Sequence, residues 1–86
     1  MNDTFEKAAE MAQNLSQRPT NEELLKLYAL YKQGTEGDVT GDRPGGFDFK
    51  GAAKYDAWSE LKGLGNEEAR EAYIAFVASL QEKYNS

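Results

Sequence analysis

Two tyrosines and a lysine fall close together in the run Tyr28-Ala29-Leu30-Tyr31-Lys32. Residues at i, i+3 and i+4 are neighbours on one side of a helix. Two phenols and an ammonium on such a face can hydrogen-bond a phosphate and offer an aromatic surface to a flat ring. The same spacing suits core tyrosines with their hydroxyls at the rim and a lysine stem extending to water. Periodicity by itself favours that plainer arrangement. Lys50 and Lys54 are also four apart, near the expected start of a helix, where free backbone N–H groups attract anions. A solvated helix face is the plainer reading there too.

Other chemistries find less support. The chain has no cysteine and no histidine, which removes thiolate nucleophiles, disulfides, thiolate metal sites and the commonest general base. Asp38, Thr40 and Asp42 match the first ligand positions of a calcium loop, but Arg43 stands where that loop needs glycine. Gly41-x-x-x-x-Gly46 has the glycine spacing of a phosphate-binding loop, yet Phe47-Asp48 replaces its lysine and hydroxyl. No metal site is expected. Glu22, Glu23, Glu67, Glu68 and Glu71 read as helix-start and solvent-face carboxylates, so nothing supports hydrolysis by an acid/base pair. Fifteen acidic against ten basic residues give a net charge of −5, which disfavours nucleic acid as a partner. An acidic protein can still hold an anion where a few lysines converge.

These residues need elements to position them. With 86 residues the chain should form one domain over 1–86, exposing about 5,000 Å² when compact. No apolar run is long enough to span a membrane, and the first residues lack a signal-peptide core. Four stretches carry helical periodicity. Phe5, Ala8, Ala9, Ala12 and Leu15 form the first stripe, and Asp3 with Glu6 has the spacing of a capping box. Thr20-x-x-Glu23 opens the second helix with another such box. Its apolar positions are Leu24, Leu27, Tyr28 and Tyr31, with Leu25 and Leu30 beside them. Gly34 should weaken its last turn and Gly37 should stop it. The segment DVTGDRPGGFDFK, from Asp38 to Lys50, has neither helical nor strand period and predicts a long ordered loop pinned by Val39, Phe47 and Phe49. A third helix from about Gly51, with Asp48 as a possible cap, carries Lys54, Ala57, Trp58 and Leu61 and ends at Gly63. The fourth has the stripe Ala69, Tyr73, Phe76, Val77, Leu80 and Tyr84, with Gly65 or Asn66 as its N-cap. The fold class is all-α.

Taken together, the boxes Tyr28-Ala29-Leu30-Tyr31-Lys32-Gln33-Gly34-Thr35-Glu36-Gly37-Asp38, Arg43-Pro44-Gly45 and Asp48-Phe49-Lys50-Gly51-Ala52-Ala53-Lys54-Tyr55-Asp56-Ala57-Trp58 closely resemble the acyl-CoA-binding protein family. The likeness runs through Leu61-Lys62-Gly63, Glu67-Glu68-Ala69 and Ala72-Tyr73-Ile74, and back to Phe5, Ala8 and Ala9, so it covers essentially the whole chain. The resemblance implies a skewed up-down-down-up four-helix bundle with its site between the second and third helices. It implies that Tyr28, Lys32 and Lys54 hold the 3′-phosphate region of coenzyme A, that Tyr31 lies against adenine, and that Lys50 and Tyr73 line the ligand. Ala9, Leu24, Leu25 and Ala53 would border the acyl groove. Departures from the family pattern are Gln13 for a frequent basic residue, still assigned to that groove, Ala52 for a frequent lysine, and Tyr55 for the usual tryptophan.

What the resemblance implies about function is a non-enzymatic, cytoplasmic and monomeric carrier of medium- and long-chain acyl-CoA esters, without a cofactor, that serves acyl-CoA-using enzymes. Such a ligand brings about four negative charges near neutral pH, so its attraction to an acidic protein must come from closely placed lysines. Screening over about 8 Å makes that workable. The alternative expectation is a small helical adaptor that buries a partner's helix. An apolar groove without a phosphate cradle would favour the adaptor.

Overall fold

The computed structural model describes residues 3–85, and of Asp3 only the backbone, so its expected pairing with Glu6 lies outside the described residues. Four helices follow one another: α1 (Asp3–Gln13), α2 (Asn21–Glu36), α3 (Phe49–Ser59) and α4 (Asn66–Asn85). Among the described residues no helix is long and apolar enough to cross a membrane.

The sequence places each helix end, and three boundaries shift. At Thr20 the capping box forms: its hydroxyl oxygen accepts from the Glu23 N–H at 3.1 Å, and the Glu23 carboxylate accepts from the Thr20 N–H at 2.9 Å. Gly37 stops α2 at φ +84°, a conformation that favours glycine, with its N–H on the Gln33 carbonyl. α1 ends at Gln13 rather than reaching Leu15. The Asn14 side chain donates to the Glu10 carbonyl there, while Leu15 still packs on the core. α3 begins two residues earlier than expected because the Asp48 carboxylate accepts from the Gly51 N–H at 2.9 Å, making Phe49 the first helical residue. It finishes at Ser59, and Gly63 takes φ +94° in the turn that follows. The Gly65 carbonyl accepts the first bond of α4, from the Ala69 N–H, which settles the N-cap in favour of Gly65.

Cross-helix contacts give the directions. Phe5 meets Tyr73 near the start of α1, and Ser16 beyond its end bonds Tyr84 and Asn85, so α1 and α4 run the same way. Glu23 at the start of α2 bonds Lys83 and Tyr84 at the end of α4, while Gly34 near the end of α2 lies under Arg70. Those two are antiparallel. α3 is parallel to α2, since Lys54 lies over Tyr28 and Lys32, four residues on, lies over Trp58. The order is up-down-down-up, as expected. The core gathers Phe5, Ala8, Leu27, Leu30, Tyr73, Val77 and Leu80, from α1, α2 and α4.

The long connection is held differently from the expectation. Phe47 and Phe49 do not pin it: they are 94% and 76% exposed. Polar bonds do that instead. Arg43 grips the Asp56 carboxylate of α3 at 2.8 and 2.9 Å, and the Tyr55 hydroxyl donates to the Gly41 carbonyl at 3.0 Å. At its start, Asp38 accepts from the Gly63 N–H and the Gln33 amide, which hold its carboxyl below the usual range. Gln33 is fully buried and also donates to the Leu64 carbonyl and accepts from the Trp58 indole, so both polar atoms of its side chain have partners. Gly34, expected only to weaken α2, is where α4 approaches closely; the Arg70 guanidinium and Asn66 amide satisfy its carbonyl.

α3 packs on α2 and stands off the rest of the bundle. The surface of 5773 Å² and radius of gyration of 13.2 Å therefore exceed the ~5,000 Å² and ~12 Å of a compact chain this size. The excess is a cleft and an extended loop.

Candidate functional site

A cleft of about 510 Å³ opens between the N-terminal halves of α2 and α3. Because the two helices are parallel, their first turns lie side by side there, and residues four apart on each present matching rungs. α2 contributes Leu24, Leu25 and Tyr28, and α3 contributes Lys50, Ala53 and Lys54. Six of the residues expected in a site thus share one cleft.

At its inner end, Tyr28 is the common partner of two cations. The Lys54 ammonium lies 5.2 Å from the ring centre and the Lys32 ammonium 6.0 Å. Lys32 also lies 5.6 Å over the Trp58 ring, which its indole bond to the Gly37 carbonyl holds in place. Aromatic faces attract such cations, but they do not neutralise them. Lys32 has an ion pair with Glu36 one turn on, which raises its pKa chiefly through that hydrogen bond. Among the described residues, neither Lys50 nor Lys54 has a carboxylate within ion-pair distance. Like charges brought this close raise the local potential and favour an anion between them.

Lys32 and the remaining expected residues lie outside the cleft lining. Tyr31, 42% exposed, stacks on Phe5 with ring centres 5.4 Å apart, and meets the edge of Tyr73 at 5.8 Å. Tyr73 is buried, and burial, with Tyr31 beside it, pushes its phenol pKa up. Ala9 is half-buried against the core and Gln13 is exposed on the last turn of α1. Three lining residues are additional to the sequence reading: Arg18, Asn21 and Phe49. Arg18 precedes Pro19 in a connection without period, so no helical pattern marks it, although its charge on an acidic chain is a usable signal. Its guanidinium bonds the Asn21 side chain at 3.4 Å.

A second cleft of about 530 Å³ continues along the α2–α3 seam past Leu25 and Ala53. Glu22, Asp56 and Glu60 border it against one cation, Lys26, whereas the first cleft's lining has Arg18, Lys50 and Lys54 and no carboxylate, which suits an anionic group.

The chain matches the family model described as acyl CoA binding protein over residues 2–77. It is 53% identical over 83 residues to acyl-CoA-binding protein homolog 1 of Caenorhabditis elegans, covering 96% of both chains. It is 44% identical to acyl-CoA-binding protein of Dictyostelium discoideum over 94% of this chain and 96% of that one. Among solved structures, the crystal structure of acyl-CoA-binding protein 2 from Oryza sativa superposes with a TM-score of 0.89 at 46% identity, over 94% of this chain and 90% of that one. A crystal structure from Moniliophthora perniciosa gives a TM-score of 0.89 at 37% identity, over 100% and 86%. With sequence, helix order and cleft in agreement, the chain belongs to the acyl-CoA-binding protein family.

Proposed function

We propose that this chain binds acyl-CoA esters of medium and long chain and carries them without chemical change. The single observation behind the reading is the pair of lysines, Lys32 and Lys54, drawn to one tyrosine ring from two helices. The 3′-phosphate region sits between those ammoniums and the Tyr28 hydroxyl. Lys50 takes a further phosphate, and the free part of Tyr31 receives the adenine. The acyl chain lies along Leu24, Leu25 and Ala53, where each methylene taken out of water contributes ~0.8 kcal/mol. Ala9, Gln13 and Tyr73 border the ligand from the α1–α4 side. The chain acts as one unit over 1–86, as a cytoplasmic monomer that passes its ligand to acyl-CoA-using enzymes. It needs no cofactor or metal and is not an enzyme, since a carrier needs neither nucleophile nor general base and this chain has no histidine or cysteine.

Calorimetric titration with palmitoyl-CoA tests the reading. Charge-assisted hydrogen bonds contribute ~1.5–3 kcal/mol, so Lys54→Ala weakens binding about ten- to a hundredfold. The dephospho-CoA ester, which lacks the 3′-phosphate, loses a similar factor against the parent. Parent-like affinity in Lys54→Ala would remove the phosphate from this position. Release of free coenzyme A during incubation would replace carriage by hydrolysis.

A further inference from the structure

Phe47 is almost bare and Phe49 is mostly exposed, although a chain with a small core has few aromatic residues to leave in water. Hydrogen bonds hold the segment in shape. The Phe49 N–H donates to the Phe47 carbonyl at 3.0 Å, the Asp48 N–H to the Gly45 carbonyl at 3.4 Å, and Gly46 takes φ +66° to make the turn. Asp48, between the two rings in sequence, directs its carboxylate to the Gly51 N–H at the helix end. Phe49 is part of the cleft's wall, together with Leu24, Leu25 and the cations Arg18, Lys50 and Lys54. Phe47 is not in that lining. A ring exposed over 94% of its surface thus stands two residues from a cleft wall that carries three cations.

Aromatic rings beside cations are the composition that settles at the boundary between lipid headgroups and acyl chains. We propose that Phe47 and Phe49 dock the mouth of the cleft on an anionic phospholipid bilayer, with Arg18 and Lys50 facing lipid phosphates. Basic side chains near an anionic surface add attraction that falls off within a Debye length. The net charge of −5 repels the rest of the molecule, so contact is confined to this face and is brief. The acyl chain can then pass between bilayer and cleft without crossing water. The purpose of the contact rests on the acyl-CoA reading, but the contact itself does not.

The full chain, without acyl-CoA, is sedimented with vesicles of mixed phosphatidylcholine and phosphatidylserine, and with vesicles of phosphatidylcholine alone. The parent binds the mixed vesicles better, and Phe47→Ser lowers the bound fraction about tenfold, the scale set by one buried aromatic side chain. Phe47→Ser keeps the parent's affinity for monomeric palmitoyl-CoA, because Phe47 does not line the cleft. In Phe47→Trp, the added indole emission shifts to the blue with mixed vesicles and is quenched by bromine-labelled acyl chains. Equal sedimentation of parent and Phe47→Ser overturns the proposal, as does parent binding that ignores phosphatidylserine. Absent vesicle binding with self-association that Phe47→Ser abolishes would give the rings to a second copy, and also overturns it. Palmitoyl-CoA binding without vesicle binding defeats the docking proposal alone. Vesicle binding that depends on Phe47, in a protein that ignores palmitoyl-CoA, defeats the acyl-CoA reading alone.

Discussion

Lys32 is already engaged before any ligand arrives, and Glu36 is what engages it. A phosphate must displace that carboxylate to reach the ammonium. Exposed ion pairs one helical turn apart contribute about 0.3–0.5 kcal/mol, so Glu36→Gln should tighten palmitoyl-CoA binding about twofold. The gain grows at low salt, because a negative charge near the phosphates also disappears. Glu36 stands at the C-terminal end of α2, where a carboxylate opposes the helix dipole, so the substitution leaves the fold intact. Calorimetry at two salt concentrations measures this. Weaker binding by Glu36→Gln would mean that Glu36 holds Lys32 in its working position instead of competing for it. Lys54, with no carboxylate partner among the described residues, gains nothing from such a change.

At the level of elements, two helix ends govern the site. The start of α2 is tied to the end of α4 through Glu23. The Tyr84 hydroxyl first, then the Lys83 ammonium and the Thr20 N–H, lower its pKa from the ordinary 4.5 to about 2. A carboxyl with a depressed folded pKa contributes stability above its unfolded value and loses it as pH falls through the folded one. Acid should therefore weaken this clamp progressively between pH 4.5 and about 2. Glu23→Gln lowers stability at neutral pH and flattens the profile across that window, as urea unfolding at a series of pH values would record. Parallel profiles for parent and variant would assign the acid sensitivity to other carboxylates. The start of α3 depends on Asp48, and a methyl group at Gly51 would collide with the capping carboxylate. Gly51→Ala should cost about 1 kcal/mol through the lost cap. It should also weaken acyl-CoA binding, because Phe49, Lys50 and Lys54 take their positions from this turn. A stability loss in chemical unfolding with unchanged binding would separate the cap from the site.

For the whole molecule, the question is which half of the ligand supplies the affinity. The cations stand around Tyr28 and the apolar wall runs past Leu24, Leu25 and Ala53, so neither half should bind well alone. Free coenzyme A lacks the acyl burial, and palmitate brings one carboxylate to a place with several cations. From octanoyl- to dodecanoyl-CoA, four methylenes add up to ~3 kcal/mol, or about two decades in affinity. The gain should level off once the chain outgrows a cleft of about 510 Å³. Titration of coenzyme A, palmitate and an acyl-CoA series at fixed salt checks this. Tight palmitate binding without preference for the ester would make the cleft a generic fatty-acid site.

The sequence by itself determined what depends on neighbours along the chain. Thr20 and Glu23 sit three apart and close a capping box, Asp48 lies three before Gly51, and the stripe from Ala69 to Leu80 faces the core at helical spacing. These follow from helical geometry alone, and so does the meeting of Tyr28 with Lys32. Much of the cleft lining, from Leu24 to Lys54, was legible through resemblance as well as period. What period could not give is anything that joins distant segments. Residue type alone marks Phe47 and Phe49 as apolar anchors of the loop. Yet Arg43 reaches Asp56, and Asp38 reaches Gly63, across thirteen and twenty-five positions, and these bonds free both rings for the surface. Gln33 looks like an ordinary helix residue until Trp58, Asp38 and Leu64 surround it. Arg18 belongs to the cleft only because α2 and α3 run parallel. That direction comes from tertiary packing, since a helix's own hydrogen bonds leave its orientation toward its neighbours open.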